Sequence, residues 1–216
     1  TIIASLDDIA WLTNLRASDV SYNPVFYSYA LVGRDKAFLF VDRSRFSDEI
    51  LAKTEASFAI EPYEETTKVL AEVIKADDTI YLSPDRISLL IADAMASSHY
   101  ITGRDFTTDL KASKNETELE GMRRAHLLDG VALVNFLSSL DRVGGTYTEI
   151  EIAAMLARER ERSSEYLGPS FGPIAGWAEH GALPHYSATE ESNATVTGDG
   201  LLVLDTGGHY QSGMTD

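Results

Sequence analysis

Apolar and polar positions follow two different rhythms along the chain, and the change between them falls near Lys111. Before that point, short β-branched and aromatic runs alternate with amphipathic stretches, which predicts an α/β layer with a sheet covered by helices. The run PVFYSYALV, the polar tetrad Gly33-Arg34-Asp35-Lys36 and the run AFLFV predict a hairpin. SDEILAKTEASF and YEETTKVLAEVIKA carry helical spacing, and each opens on a capping or acidic residue that satisfies free backbone donors. TIYLSP predicts another strand, and SPDRISLLIADAMASS a helix entered through Ser83 and Pro84.

Beyond Lys111 the helical rhythm lengthens. Asn115 with Glu118 forms a capping-box signal, and Leu127, Val131, Val134 and Leu137 recur on one face, so a long amphipathic helix is expected, ended by Gly144-Gly145. Thr146 with Glu149 marks the start of another helix, through YTEIEIAAMLARERERSSE. The alternating Glu and Arg from Arg158 to Arg162 read as a solvated helix face with modest pair energies, and His126 as a surface or core histidine. From Ser163 onward glycine and proline are so frequent that short strands joined by tight turns are expected. His180 is placed in an exposed loop. His185, between Leu183-Pro184 and Tyr186, fits a proton-exchanging or a packed structural histidine equally well.

Composition narrows the classes. With 216 residues, 44% of them hydrophobic, the chain can bury one or two cores, and two units are expected, 1–111 and 112–216. A formal charge of −16 makes nucleic acid and anionic membranes poor partners, because either polyanion is repelled at long range. The absence of cysteine excludes disulfides and thiolate metal sites. No apolar run reaches the roughly 18 residues of a membrane span, and the opening TIIASLDDIAW lacks the basic region of a signal peptide.

Candidate chemistry concentrates in LLVLDTGGHYQSGMTD, Leu201 to Asp216. With Tyr210 and Gln211 at the tip of a hairpin, Asp205 lies directly across from Asp216. Opposed β-carbons stand about 4.5 to 5.5 Å apart, and paired metal ions in hydrolytic sites about 3.5 to 4 Å, so the spacings are compatible. Facing carboxylates repel one another, and divalent cations turn that repulsion into attraction. The alternative, that both aspartates cap turns in a solvated hairpin, fits the spacing as well. Asp205-Thr206-Gly207 also resembles the motif of the aspartic proteases, whose two aspartates share a proton. That motif occurs once here, without the further chain and the mostly β surroundings that such a lobe requires.

Several longer segments carry a more specific likeness. LDDIAWLTNLRASDVSYNPVFYSYALV, KASKNETELEGMRRAHLLDGVALVNFLSSL and GPIAGWAEHGALPHYSATEESNATVTGDGLLVLDTGGHYQSGMTD together resemble the Xaa-Pro aminopeptidases, the aminopeptidase P group of the pita-bread metallopeptidases. The resemblance implies a creatinase-like domain over 1–111, lacking its start, and the first half of a pita-bread catalytic domain over 112–216. It makes Asp205 and Asp216 metal ligands and His185 a residue that contacts the peptide substrate. A histidine and two glutamates that complete the dinuclear centre would lie beyond Asp216, and no proton-transferring catalytic residue is assigned within these residues. The implied cofactors are two divalent ions, manganese first and zinc or cobalt next. The implied activity is release of the N-terminal residue from peptides with proline second, by a cytoplasmic homodimer. A prolidase-like dipeptidase and a non-catalytic peptide-binding relative share the fold and stand as alternatives.

Overall fold

Ile2 and Ile3, both buried, form strand β1 (Ile2–Ile3), and the first unit grows around them. The structure, a computed structural model, describes residues 1–96, 98–143 and 146–216, with 141–143 given by their backbone alone. It divides into one unit of Thr1–Val20 and Pro24–Ser113 and another of Ser21–Asn23 and Lys114–Asp216.

The first unit is a mixed α/β layer. Helix α1 (Leu6–Thr13) buries Ile9 and Ala10. Strands β2 (Tyr29–Val32) and β3 (Ala37–Phe40) make the expected hairpin, Tyr29 opposite Phe40, and Gly33 N–H donates to Lys36 O at 3.0 Å across the turn. Ser47 caps α2 (Asp48–Glu55) by accepting from Ile50 N–H. A strand the pattern did not announce, β4 (Ala59–Glu61), runs parallel to β3 and completes the order β1-β2-β3-β4. Helix α3 (Thr66–Val73) buries Leu70, and β5 (Thr79–Leu82) lies parallel to β6 (His99–Thr102). Between these two strands, α4 (Leu89–Ala94) starts later than Ser83-Pro84 suggests, because Ser88 supplies the cap to Ile91 N–H. Helix α5 (Phe106–Ala112) is tied to α1 by Asp8, which accepts from Thr108 at 2.7 Å and pairs with Lys111 at 2.6 Å. Alternate strand residues feed two cores, Leu31, Phe38 and Phe40 on one side, Ala30, Leu39 and Val41 on the other, so both faces of the sheet are covered.

The second unit opens with α6 (Glu116–Val143), whose start is capped reciprocally: Asn115 Oδ1 accepts from Glu118 N–H and Glu118 Oε2 from Asn115 N–H, each at 2.9 Å. Its buried face is not the expected one. Leu127, Val131, Val134 and Leu137 are 68, 54, 65 and 48% exposed, whereas Ala125, Ala132 and Phe136 are buried. Gly144-Gly145, the expected stop, lie outside the described residues. Strand β7 (Tyr147–Thr148) leads into α7 (Glu149–Arg160). The capping box there is made by Thr148 and Glu151, not Thr146 and Glu149, which leaves Glu149 to turn inward. Short strands follow as expected: β8 (Tyr166–Pro169), β9 (Ile174–Trp177), β10 (Thr195–Val196), β11 (Leu202–Asp205), β12 (Gly208–Tyr210) and β13 (Gly213–Met214). Strand β9 pairs with β11, β7 with β10, and β12 lies between β8 and β13. Phe136, Ile152, Leu156 and Ala175 form the core, against which Leu202 and Leu204 pack. Each buried aliphatic side chain contributes about 1.5–3 kcal/mol. Among the described residues, no helix is long and apolar enough to cross a membrane.

Candidate functional site

Helix α7 carries two polar anchors on its buried face. Ile152 and Leu156 sit one turn apart in the core, and the same face continues to Glu149 before them and Arg160 after them. Arg160 therefore departs from the solvated face expected up to Arg162: it is 3% exposed. Its Nε and Nη2 donate to Asp129 Oδ1 and Oδ2 at 2.6 and 3.2 Å, a two-point pairing with α6. Nη1 reaches Thr206 Oγ1 at 2.6 Å and Gly207 O at 3.1 Å, and Nη2 also reaches Thr206 O at 3.1 Å. Asp129 accepts in addition from Tyr210 OH at 2.9 Å and Thr215 Oγ1 at 2.7 Å. Burial opposes the charge on Asp129, yet the bonds from Arg160 and Thr215 and the guanidinium charge hold its carboxyl below the ordinary range. Burial and the same carboxylate push the Tyr210 hydroxyl up.

This network corrects the expected hairpin. Tyr210 is buried and bonded to Asp129, so it belongs to a strand and not to the tip. Tyr210 pairs with Gly213 and His209 with Met214, which puts Gln211 and Ser212 in the turn. Thr215 N–H donates to Gly208 O at 2.9 Å, so the ladder continues in that register and sets Asp216 beside Gly207, not opposite Asp205. Asp205 itself ends β11 and pairs with Ile174 of β9. Alternation explains where both aspartates face. Leu202 and Leu204 pack inward, so Val203 and Asp205 point the other way; Thr215 turns to Asp129, so Asp216 is exposed. Neither carboxylate has a hydrogen-bond or ion-pair partner among the described residues.

Glu149 organises the loop that bears the histidines. Fully buried, its Oε1 accepts from Trp177 N–H at 2.7 Å and contacts His180 Nδ1 at 2.9 Å, and its Oε2 accepts from Tyr186 OH at 2.8 Å and Ala194 N–H at 3.0 Å. Burial opposes its charge, but the donors from Trp177, Ala194, Tyr186 and His180 outweigh it and hold the carboxyl below the ordinary glutamate range. His180 is thus not the exposed loop residue expected: it is half-buried and stacked on Tyr186, ring centroids 4.5 Å apart. His185 is exposed, which removes the packed alternative, and it holds φ of 58°, a left-handed conformation costly for a residue with a side chain. His126 is exposed on α6. Glu149, Asp129 and Arg160 escaped the sequence reading, although the spacing of Ile152, Leu156 and Arg160 on one helical face was a usable signal.

As metal donors, Asp205 and Asp216 fit divalent ions in kind, being hard oxygen ligands with no competing partner among the described residues. They do not form a complete set: among the described residues, no three His, Cys, Asp or Glu side chains are grouped to hold a metal. Residues 1–118 match the creatinase/prolidase N-terminal domain, and residues 120–216 match metallopeptidase family M24. The chain belongs to the creatinase/prolidase N-terminal domain family. A probable Xaa-Pro aminopeptidase P from Laccaria bicolor is 37% identical over 222 residues, covering 100% of this chain and 34% of that protein. The X-prolyl aminopeptidase from Caenorhabditis elegans, described as a cytosolic enzyme with a di-nuclear active site, superposes with a TM-score of 0.93 at 33% identity, over 99% of this chain and 36% of that one. A Xaa-Pro dipeptidase from Bacillus anthracis shares the fold at a TM-score of 0.72 and 17% identity, over 98% of this chain and 56% of its own. The chain spans about a third of the length of the aminopeptidase relatives it matches.

Proposed function

We propose that this M24 chain contributes two ligands, Asp205 and Asp216, and one substrate-contacting residue, His185, to a dinuclear peptidase site that releases the N-terminal residue from peptides with proline second. The observation that carries this reading is the pair of exposed, unpartnered carboxylates on segments anchored from behind by Asp129 and Arg160. When bound, paired divalent ions supply a water of lowered pKa and a Lewis acid for the scissile carbonyl. The chain's own part is to hold the carboxylates ready and to present the His185 ring to a peptide from a loop fixed by Glu149. Oxygen donors favour manganese, with zinc or cobalt able to substitute. Peptides are the substrates; the cytosolic relative supports a cytoplasmic location, and the assembly we infer is a homodimer.

Two carboxylates leave most coordination positions to water, so the 216-residue chain by itself is expected to bind metal weakly and turn over poorly. The substrate class is tested in a polypeptide of the relatives' length that carries this sequence. It should cleave a tripeptide with proline second, leave a matched tripeptide with alanine second intact, and lose activity on His185→Ala substitution. Cleavage restricted to Xaa-Pro dipeptides would move the assignment to prolidase, and peptide binding without cleavage would move it to a binding protein.

A further inference from the structure

We propose that the buried Asp129–Arg160 pair is a positioning device that sets the separation of Asp205 and Asp216, a role that rests on reading those two residues as metal ligands. The pair reaches both ligand-bearing segments from helices that carry neither. Arg160 donates to Thr206 and Gly207, the two residues that follow Asp205, and Asp129 accepts from Thr215, the residue that precedes Asp216. Asp129 also holds Tyr210, which lies between the two segments. The segments are in direct backbone contact at this point. A Cβ added to Gly207 would collide with Thr215 O and Ser170 Oγ, and Ser170 ties both by donating from N–H to Gly207 O at 3.2 Å and from Oγ to Thr215 O at 2.9 Å.

Carboxylates of like charge push the segments that carry them apart, and an ion gains more from chelation when their spacing is already fixed as it arrives. Folding fixes it here. The planar guanidinium can hold Asp129, Thr206 and Gly207 at once because its donors diverge in a rigid fork, an arrangement a single ammonium cannot reproduce.

Because the chain contains no cysteine, Asp205→Cys with Asp216→Cys can be spin-labelled and the distance between labels read directly. The pair should give one narrow distance distribution, and adding Arg160→Lys or Asp129→Asn should broaden it and shift it outward while circular dichroism stays unchanged. An unchanged distribution in a folded Arg160→Lys or Asp129→Asn chain overturns the proposal. Should both variants fail to fold, Tyr210→Phe removes one bond to Asp129, and an unaltered distribution in that variant overturns it equally. Mn2+ alone, followed by broadening of the Thr206 and Thr215 amide signals, then separates the clamp from the ligand assignment. Asp205→Asn and Asp216→Asn should each weaken the effect at both amides, and Arg160→Lys should lower Mn2+ affinity about tenfold. If Arg160→Lys moves the label distance while neither Asp205→Asn nor Asp216→Asn alters Mn2+ binding, the clamp stands and the ligand assignment fails.

Discussion

Replacing Glu149 by Gln isolates the role of one buried charge at nearly constant volume. In the protein, each carboxylate oxygen meets one backbone N–H, Trp177 on one side and Ala194 on the other, and neither donor can be reversed. A carboxamide offers one acceptor oxygen and one donor nitrogen, so in either orientation one of these N–H groups faces another donor. A buried donor left without a partner costs about 1–3 kcal/mol, and loss of charge weakens each remaining bond by roughly 1 kcal/mol. Relief from burying a charge offsets part of this, leaving a net loss of about 2–4 kcal/mol. Amide exchange at Ala194 reads the effect locally and should accelerate about 30-fold to several-hundred-fold. A folded Glu149→Gln chain whose Trp177 and Ala194 amides both exchange at the parent rate would refute the assignment of Glu149 as the loop's anchor. The pH dependence has a fixed sign. The folded carboxyl titrates below its ordinary value, so its stabilisation is complete above the ordinary glutamate pKa of about 4.3 and disappears as pH falls through the lower folded value.

Three further outcomes are expected. Phe136→Ala removes the largest side chain of the second unit's core and should cost about 3–5 kcal/mol in urea unfolding of that unit. Leu127→Glu, on the exposed stripe of α6, should change the stability of this chain by no more than about 0.5 kcal/mol, whereas substitution of a core residue at the same helical depth would not be tolerated. Asp105 is buried with no partner for either carboxyl oxygen among the described residues, and burial and Asp8 push its pKa up. Its ionisation therefore costs stability as pH rises from the ordinary aspartate pKa through the raised folded value, so Asp105→Asn should raise the thermal midpoint at neutral pH and lose that advantage in acid.

The elements that were legible in the sequence are those whose signal is local. The β2–β3 hairpin follows from two apolar runs around a polar tetrad, and the start of α6 from the Asn115 and Glu118 pair, because in each case neighbours in sequence make the deciding hydrogen bonds. Non-local burial decided the rest. Helix α6 has two candidate apolar faces, and the buried one is fixed by its distant partners: Ala125 and Met122 stand at Gly213 of β13, and Phe136 enters the core with Ile152 and Leu156. Nothing in the periodicity of Leu127, Val131, Val134 and Leu137 reveals that preference. The hairpin register failed for a related reason. Tyr210 was legible as a turn residue only while Asp129, 81 positions earlier, was out of view. Arg160 looked solvated beside its charged neighbours, and its place on the face of Ile152 and Leu156 mattered more than its charge. Asp205 and Asp216 stood out because they flank glycine-rich strands, but the segments that carry them are held by side chains of α6 and α7.

The proposed function requires Asp205 and Asp216 to serve as ligands to divalent ions. Elemental analysis of an active polypeptide of the relatives' length carrying this sequence tests it most directly. Two divalent ions per chain are expected, with loss of metal and of activity together in Asp205→Asn. Full turnover of a prolyl-second peptide by a preparation free of divalent ions would contradict that role for the two aspartates.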